Sequence, residues 1–181
     1  MTAENQEGSP SALDLAWQNL AARTVKNILS RQGFGYAQLA DALACMDVRE
    51  SPRSVEGKVQ RGTFQFTFML QAALATRCVC PPAWEQAQGS GSWKARATAV
   101  IKADLGQQRW IDANELSRRL QTIGVVVPPK LLKNQIRGGT FTAALYLQCA
   151  AVCRFDGLFL FVDPGCLMRT AEEGVAKLAG Y

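Results

Sequence analysis

The chain has 181 residues, 48% of them apolar and 19% charged. That is enough apolar material for one modest domain or two very small ones, and too little charge for a wholly disordered chain. Lys and Arg number 20 against 15 Asp and Glu, and histidine is absent, which excludes His-based catalytic triads, His metal ligands and His pH switches.

Residues 1–14 read as a flexible tail, polar and acidic at its start. It lacks the basic-then-apolar plan of a signal peptide. No apolar run approaches the roughly 18 residues that a membrane crossing requires. A cytoplasmic chain without membrane contact is therefore expected.

The first domain is expected over 15–78. Trp17, Leu20, Ala21, Val25, Ile28 and Leu29 recur at helical spacing, which predicts an amphipathic helix over 15–31 that ends at Gln32-Gly33-Phe34-Gly35. Leu39 and Leu43 predict a short second helix, about 36–45. Pro52 suits the first turn of a third helix running to about Gln60. Gly62 breaks it, Thr63 can cap the next helix, and 64–77 is apolar enough to be a packed fourth helix.

Residues 79–92, with Cys80-Pro81-Pro82 and Gln88-Gly89-Ser90-Gly91-Ser92, read as a linker in which Trp84 pins to a domain. The second domain, 93–154, repeats the plan at 93–107, 113–122, 129–137 and 141–153, with Asp112 as a cap. An offset of 77 residues pairs Leu39 with Leu116, Leu43 with Leu120, Pro52 with Pro129, Val59 with Ile136 and Gly62-Thr63-Phe64 with Gly139-Thr140-Phe141. Upstream, an offset of 76 pairs Trp17 with Trp93, Lys26 with Lys102 and Leu29 with Leu105, so one residue enters the second copy after its first helix. A gene duplication follows.

Beyond Arg154, residues 155–181 are read as a strand and tail. Phe155 to Val162 looks like a turn and a strand stopped by Asp163-Pro164-Gly165. Such a strand would pair with Val125-Val126-Val127, or with its own copy in a homodimer formed through 155–162. The expected fold class is thus mainly α: two tandem four-helix, helix-turn-helix-like domains with a short C-terminal β segment.

The six cysteines fit neither a disulfide framework nor zinc. Cys78-x-Cys80 is too tight, and Cys149 and Cys153 fall inside a helix, so free thiols are expected. No cofactor or metal is implied. Nor does the chain read as an enzyme. The copies share no Asp or Glu at matched positions across Asp41/Arg118 or Cys45/Thr122, and no Gly-rich phosphate loop occurs.

Charge points elsewhere. Residues 17–78 carry eight cations against four acids, residues 93–153 carry nine against three, and the flanks are acidic. Basic domains between acidic flanks suit a polyanion. In a helix-turn-helix unit the second helix of the motif enters the major groove. Here the third helices supply Arg53, Ser54, Lys58, Gln60 and Arg61 in one copy, and Lys130, Lys133, Asn134, Gln135 and Arg137 in the other. Arg and Lys favour guanine and phosphate, and Asn and Gln favour adenine. Thr63 and Thr140 would cap helices facing phosphate. Val55, Val59, Leu132 and Ile136 would face the core, as would Phe64 and Phe141.

The run Trp17, Lys26, Leu29, Tyr36-Ala37-Gln38-Leu39-Ala40, Lys58-Val59-Gln60-Arg61-Gly62-Thr63-Phe64 and Phe68-Met69-Leu70-Gln71 resembles the DUF6471 family of small bacterial domains. That family is itself similar to repressor-type helix-turn-helix domains. The resemblance extends to the second copy through Trp93, Leu116, Asn134-Gln135-Ile136-Arg137, Gly139-Thr140-Phe141 and Leu147-Gln148-Cys149. The second copy departs from it at Gly138, where the first has Arg61, and at Trp110-Ile111. Resemblance and charge together make double-stranded DNA the expected partner and transcription regulation the expected role. The alternative is a helical protein–protein interaction adaptor using 155–162 and 141–153, with RNA binding a third reading.

Overall fold

The computed structural model describes residues 9–86, 89 and 91–180. The expected flexible tail falls largely on residues 1–8, which lie outside the described residues, as do Gln88 and Ser90 of the linker. The first helix, α1 (Ala12–Arg31), starts three residues earlier than its apolar spacing predicts. Ser11 and Asp14 form a capping box there: the Ser11 hydroxyl accepts from the Asp14 N–H, and the Asp14 carboxylate accepts from the Ser11 N–H.

Three more helices complete copy one: α2 (Tyr36–Ala44), α3 (Pro52–Arg61) and α4 (Phe66–Ala75). The linker holds a short helix, α5 (Pro82–Gln86). Copy two repeats the plan with α6 (Trp93–Gly106), α7 (Ala113–Gln121), α8 (Pro129–Gly138) and α9 (Ala143–Cys153). Two features recur at matched positions. Pro52 and Pro129 each open a third helix, where the missing N–H costs nothing. Gly62 and Gly139 each end one in the left-handed region, with φ of 68° and 62°. A side chain at Gly62 would also collide with the carbonyl of Gln18, and one at Gly139 with that of Lys94. Glycine is required there for backbone conformation and for the close approach of the first helix.

The Gly-Thr-Phe block does something its composition does not announce. Gln65 and Thr142, which are repeat-equivalent, pair in an antiparallel bridge. The Phe66 N–H donates to the Phe141 carbonyl at 3.0 Å, and the Ala143 N–H donates to the Phe64 carbonyl at 3.0 Å. The repeat offset exchanges these two bonds, so the contact is isologous and the copies meet across a local two-fold axis. The caps shift accordingly. Thr63 and Thr140 do not cap the fourth helices, because their chain segment runs on extended to make the bridge. The flanking positions are Gln65 and Thr142, and Thr142 accepts from the Leu145 N–H.

The copies then share one core. First and fourth helices exchange partners, α1 packing on α9 and α4 on α6. At the centre, the Phe66 ring stacks on Tyr146 at 4.0 Å and on Phe141 at 5.3 Å. Trp84 of α5 meets Phe66 edge-on and also contacts Tyr146 and Phe161. The linker tryptophan is therefore pinned between both copies and the tail.

The expected C-terminal strand is absent. Residues Asp156–Leu160 form a 3₁₀ helix, followed by α10 (Pro164–Ala179). Phe155, Leu158 and Phe161 are buried at intervals of three, the repeat of a 3₁₀ turn rather than the alternation of a strand. Arg31 donates to the Leu160 carbonyl, and Asn27 donates to that of Phe161 at 3.3 Å. The segment thus offers no strand edge to Val125-Val126-Val127 or to a second subunit. Asp163, read as a strand stop, caps α10 by accepting from the Cys166 N–H. Leu167, Thr170, Ala171 and Gly174 bury one face of α10, which packs on α1 and α9.

Candidate nucleic-acid interface

Each third helix lies on the first and second helices of its own copy, α3 on α1 and α2, α8 on α6 and α7. Val55 and Val59 face inward in α3, and Leu132 does so in α8, with Ile136 half-buried. The opposite faces meet solvent. In α3 this leaves Arg53, Gln60 and Arg61 exposed, with Thr63 just beyond. In α8 it leaves Lys130, Lys133, Asn134 and Arg137 exposed, while Thr140 is half-buried.

Three expected contact residues turn away from that face. Lys58 forms an ion pair with Glu50 and lies over the Phe68 ring, 5.4 Å from its centroid. The Ser54 hydroxyl donates to the same carboxylate at 2.6 Å. Burial pushes the Glu50 carboxyl up, but the bonds from Lys58 and Ser54 outweigh it and hold the group below its usual range. Gln135 occupies the Lys58 position in copy two. Its Oε1 is buried, with no hydrogen-bond partner among the described residues.

Lys58 and Gln135 border matching cavities beside the two third helices. One of about 460 Å³ is bordered by Val48, Glu50, Lys58, Gln65, Phe68 and Gln71. The other, of about 400 Å³, is bordered by their equivalents Val125, Val127, Gln135, Thr142, Leu145 and Gln148. Where copy one has the pair Glu50/Lys58, copy two has Val127/Gln135, so acid and base differ together. That joint difference is visible by laying one half of the sequence over the other. It is the signal that would have assigned Lys58 to an internal pair.

The same overlay shows how unlike the outer faces are. Only Arg53 and Lys130 are cations at matched positions. Glu56 corresponds to Lys133, Gln60 to Arg137 and Arg61 to Gly138. In α3 the Gln60 amide donates to Glu56, whereas α8 contains no acid. Beside α8 in copy two, Lys102 of α6 joins Lys130, Lys133 and Arg137 around a groove of about 620 Å³. Lys102 was legible only as a repeat match, since its neighbourhood depends on how α6 packs.

The remaining polar chemistry is internal. The Trp84 indole N–H donates to the Tyr146 hydroxyl at 3.0 Å, which donates to Asp104 at 2.7 Å. Burial pushes the Asp104 carboxyl up to about 6, against the lowering effect of the Tyr146 bond. All six cysteines are free, and the Cys78 and Cys80 sulfurs lie 3.9 Å apart. The Cys80 thiol hydrogen-bonds Cys78 and draws its pKa down to about 7, while Cys80 is itself driven up. Among the described residues no three His, Cys, Asp or Glu side chains gather as a metal site, and no helix is long and apolar enough to cross a membrane.

No curated protein and no solved structure matches the chain. A family model, described as a domain of unknown function, matches residues 17–79 and again residues 93–158, the two copies that the local two-fold relates. Together these regions cover more than half of the sequence, and the chain belongs to the DUF6471 family, carrying its domain twice.

Proposed function

We propose that the protein is a cytoplasmic double-stranded DNA-binding regulator whose α3 and α8 act as the recognition helices of two helix-turn-helix-like units. The observation that carries this reading is the solvent face of α8. Lys130, Lys133 and Arg137 are exposed, none is in an ion pair among the described residues, and Asn134 lies among them. Three unneutralised cations on one short helix suit phosphate and guanine, and Asn suits adenine.

Copy two carries most of the affinity on this reading, since α3 offers only Arg53 and Arg61 and offsets them with Glu56. The two-fold seam refines the target. Helices related by a two-fold axis meet inverted half-sites, as in dimeric repressors. The unequal side chains here make the half-sites unequal in sequence.

The test is a salt titration of binding to mixed-sequence duplex, comparing the wild type with Lys58→Ala/Arg61→Ala and Lys133→Ala/Arg137→Ala. Salt-sensitive binding is expected, with the salt slope reduced by about 2 in the α8 variant and by about 1 in the α3 variant. Equal effects would defeat the assignment of the task chiefly to copy two. Absence of binding at low salt would defeat the reading altogether.

One observation favours the adaptor reading as the second choice. Met168, Val175 and Leu178 stand exposed on α10, and Phe159 and Leu160 precede them. The other surface considered for an adaptor, 141–153, is mostly core. A pull-down that loses its partners on Met168→Ser/Val175→Ser, without any duplex binding, would establish that alternative.

A further inference from the structure

Copy two contains an open groove at a place where copy one puts an aromatic ring. It lies between α6, α7 and α8 and has a volume of about 620 Å³, within the range of pockets that hold one small molecule. Its apolar lining comes from Leu105, Ile111, Leu116 and Ile136. Ala113 also lines it, and the repeat counterpart of Ala113 is Tyr36, whose half-buried ring packs against the core of copy one. At this helix position copy two presents a methyl group to the groove where copy one carries a tyrosine ring.

The rim has the opposite character to the floor. Lys102, Lys130, Lys133 and Arg137 border the groove, and none is in an ion pair among the described residues. The one acid there, Asp112, is engaged in capping α7, accepting from the Asn114 and Glu115 N–H groups at 2.9 and 2.8 Å. Four cations against the single Asp112 carboxylate leave a net positive potential over a partly apolar groove. Copy one matches Lys102 and Lys130 with Lys26 and Arg53, but it holds Glu56 at the Lys133 position and Gln60 at the Arg137 position, so the excess of positive charge is particular to copy two.

We propose that this groove binds a small amphipathic anion: a carboxylate headgroup held by the rim cations on an apolar body seated against Leu105, Ile111, Leu116 and Ile136. Binding does not depend on the duplex reading. A consequence does rest on it, because an occupied groove draws Lys130, Lys133 and Arg137 away from phosphate and so makes the anion an antagonist of duplex binding.

The test uses the full chain and dodecanoate below its micelle concentration, titrated calorimetrically. Dodecyltrimethylammonium and inorganic phosphate are the controls for charge and for apolar body. One dodecanoate per chain is expected, with neither control matching it. Ala113→Tyr and Lys133→Glu each install the residue that copy one holds, and each is expected to weaken binding at least tenfold. Lys133 is exposed on α8, so its variant keeps the question answerable should Ala113→Tyr disturb packing, which circular dichroism would report. Unchanged binding in Lys133→Glu, equal binding of the cationic detergent, or no dodecanoate binding would each overturn the proposal. A duplex competition arm separates the two claims. Dodecanoate binding without any duplex binding rejects the DNA reading and keeps the groove, and the reverse rejects the groove alone.

Discussion

Copy one and copy two share a backbone plan and differ in what they do with polarity. Copy one hides an ion pair, Glu50 with Lys58, behind its third helix and dilutes the charge on that helix's outer face with Glu56. Copy two holds neutral Val127 and Gln135 behind α8 and leaves three cations outside. In the core the contrast reverses. Ile28 and Met69 of copy one, both buried and apolar, correspond to Asp104 and Tyr146 of copy two, which form a hydrogen-bonded chain with Trp84. After duplication, positions that set the backbone were kept while side chains bordering cavities, grooves and the shared core changed. The seam explains the asymmetry: Asp104 and Tyr146 lie where both copies, α5 and the tail converge, and that environment has no counterpart on the other side.

The sharpest way to break the backbone equivalence is at the matched glycines. Gly62→Ala and Gly139→Ala each force a side chain into the left-handed region and against the first helix. Each is expected to cost roughly 2–5 kcal/mol, by the strain of that conformation plus overpacking. Urea unfolding should show similar losses and one transition, because the core is common to both copies. Two separate transitions would mean that the copies fold independently despite the seam.

The buried carboxyl provides the next largest effect. Its folded pKa, about 6, is above the 3.8 of an unperturbed aspartate, so the folded state holds the proton more tightly than the unfolded chain. Stability from this group is therefore fully present below about pH 4 and is lost as pH rises through about 6, a change of roughly 3 kcal/mol. Asp104→Asn, which keeps an acceptor for Tyr146, should abolish that slope between pH 4 and 6.5 and be more stable than wild type at pH 8. A slope unchanged in the variant would place the titration elsewhere.

A smaller effect is expected from exchanging the cavity pair. Lys58→Gln and Glu50→Val each leave a half-buried partner unmatched, whereas the double change reproduces Gln135 with Val127. Side-chain exposures of 36% for Lys58 and 14% for Glu50 mean that solvent screens the pair, so the coupling should be about 1 kcal/mol in a double-mutant cycle. Strict additivity would show that the joint difference between the copies at these positions is coincidental.

Much of this was legible in the chain. Leucines at helical spacing, Pro52 and Pro129, and Gly62 and Gly139 mark helix interiors, starts and ends through local geometry, and α3 and α8 were located to within a residue or two. Their outer faces were legible in part. Arg53, Lys130, Lys133 and Arg137 reach solvent as expected, but Ser54, Lys58 and Gln135 turn inward, a difference set by which neighbours occupy the far side. The tail is helical although Phe155, Leu158 and Phe161 sit in a Phe- and Leu-rich run of strand-like composition; their three-residue spacing and Asp163-Pro164 carry the helical signals. The caps of the fourth helices lie two residues beyond Thr63 and Thr140, which suit that role locally but sit in the extended seam.

What the sequence determined by itself is the duplication, the helical class and the positions of breaks and caps that depend on a few adjacent residues. Hydrogen bonding along a helix and the stereochemistry of proline and glycine are local, so they can be read from neighbours in the chain. Tertiary structure alone decided that the Gly-Thr-Phe blocks form a two-fold seam, that Trp84 and Tyr146 meet over Asp104, and that four cations surround one groove. Those are contacts between residues tens of positions apart. Their energies come from burial and from charges brought together by packing, which no short stretch of sequence contains.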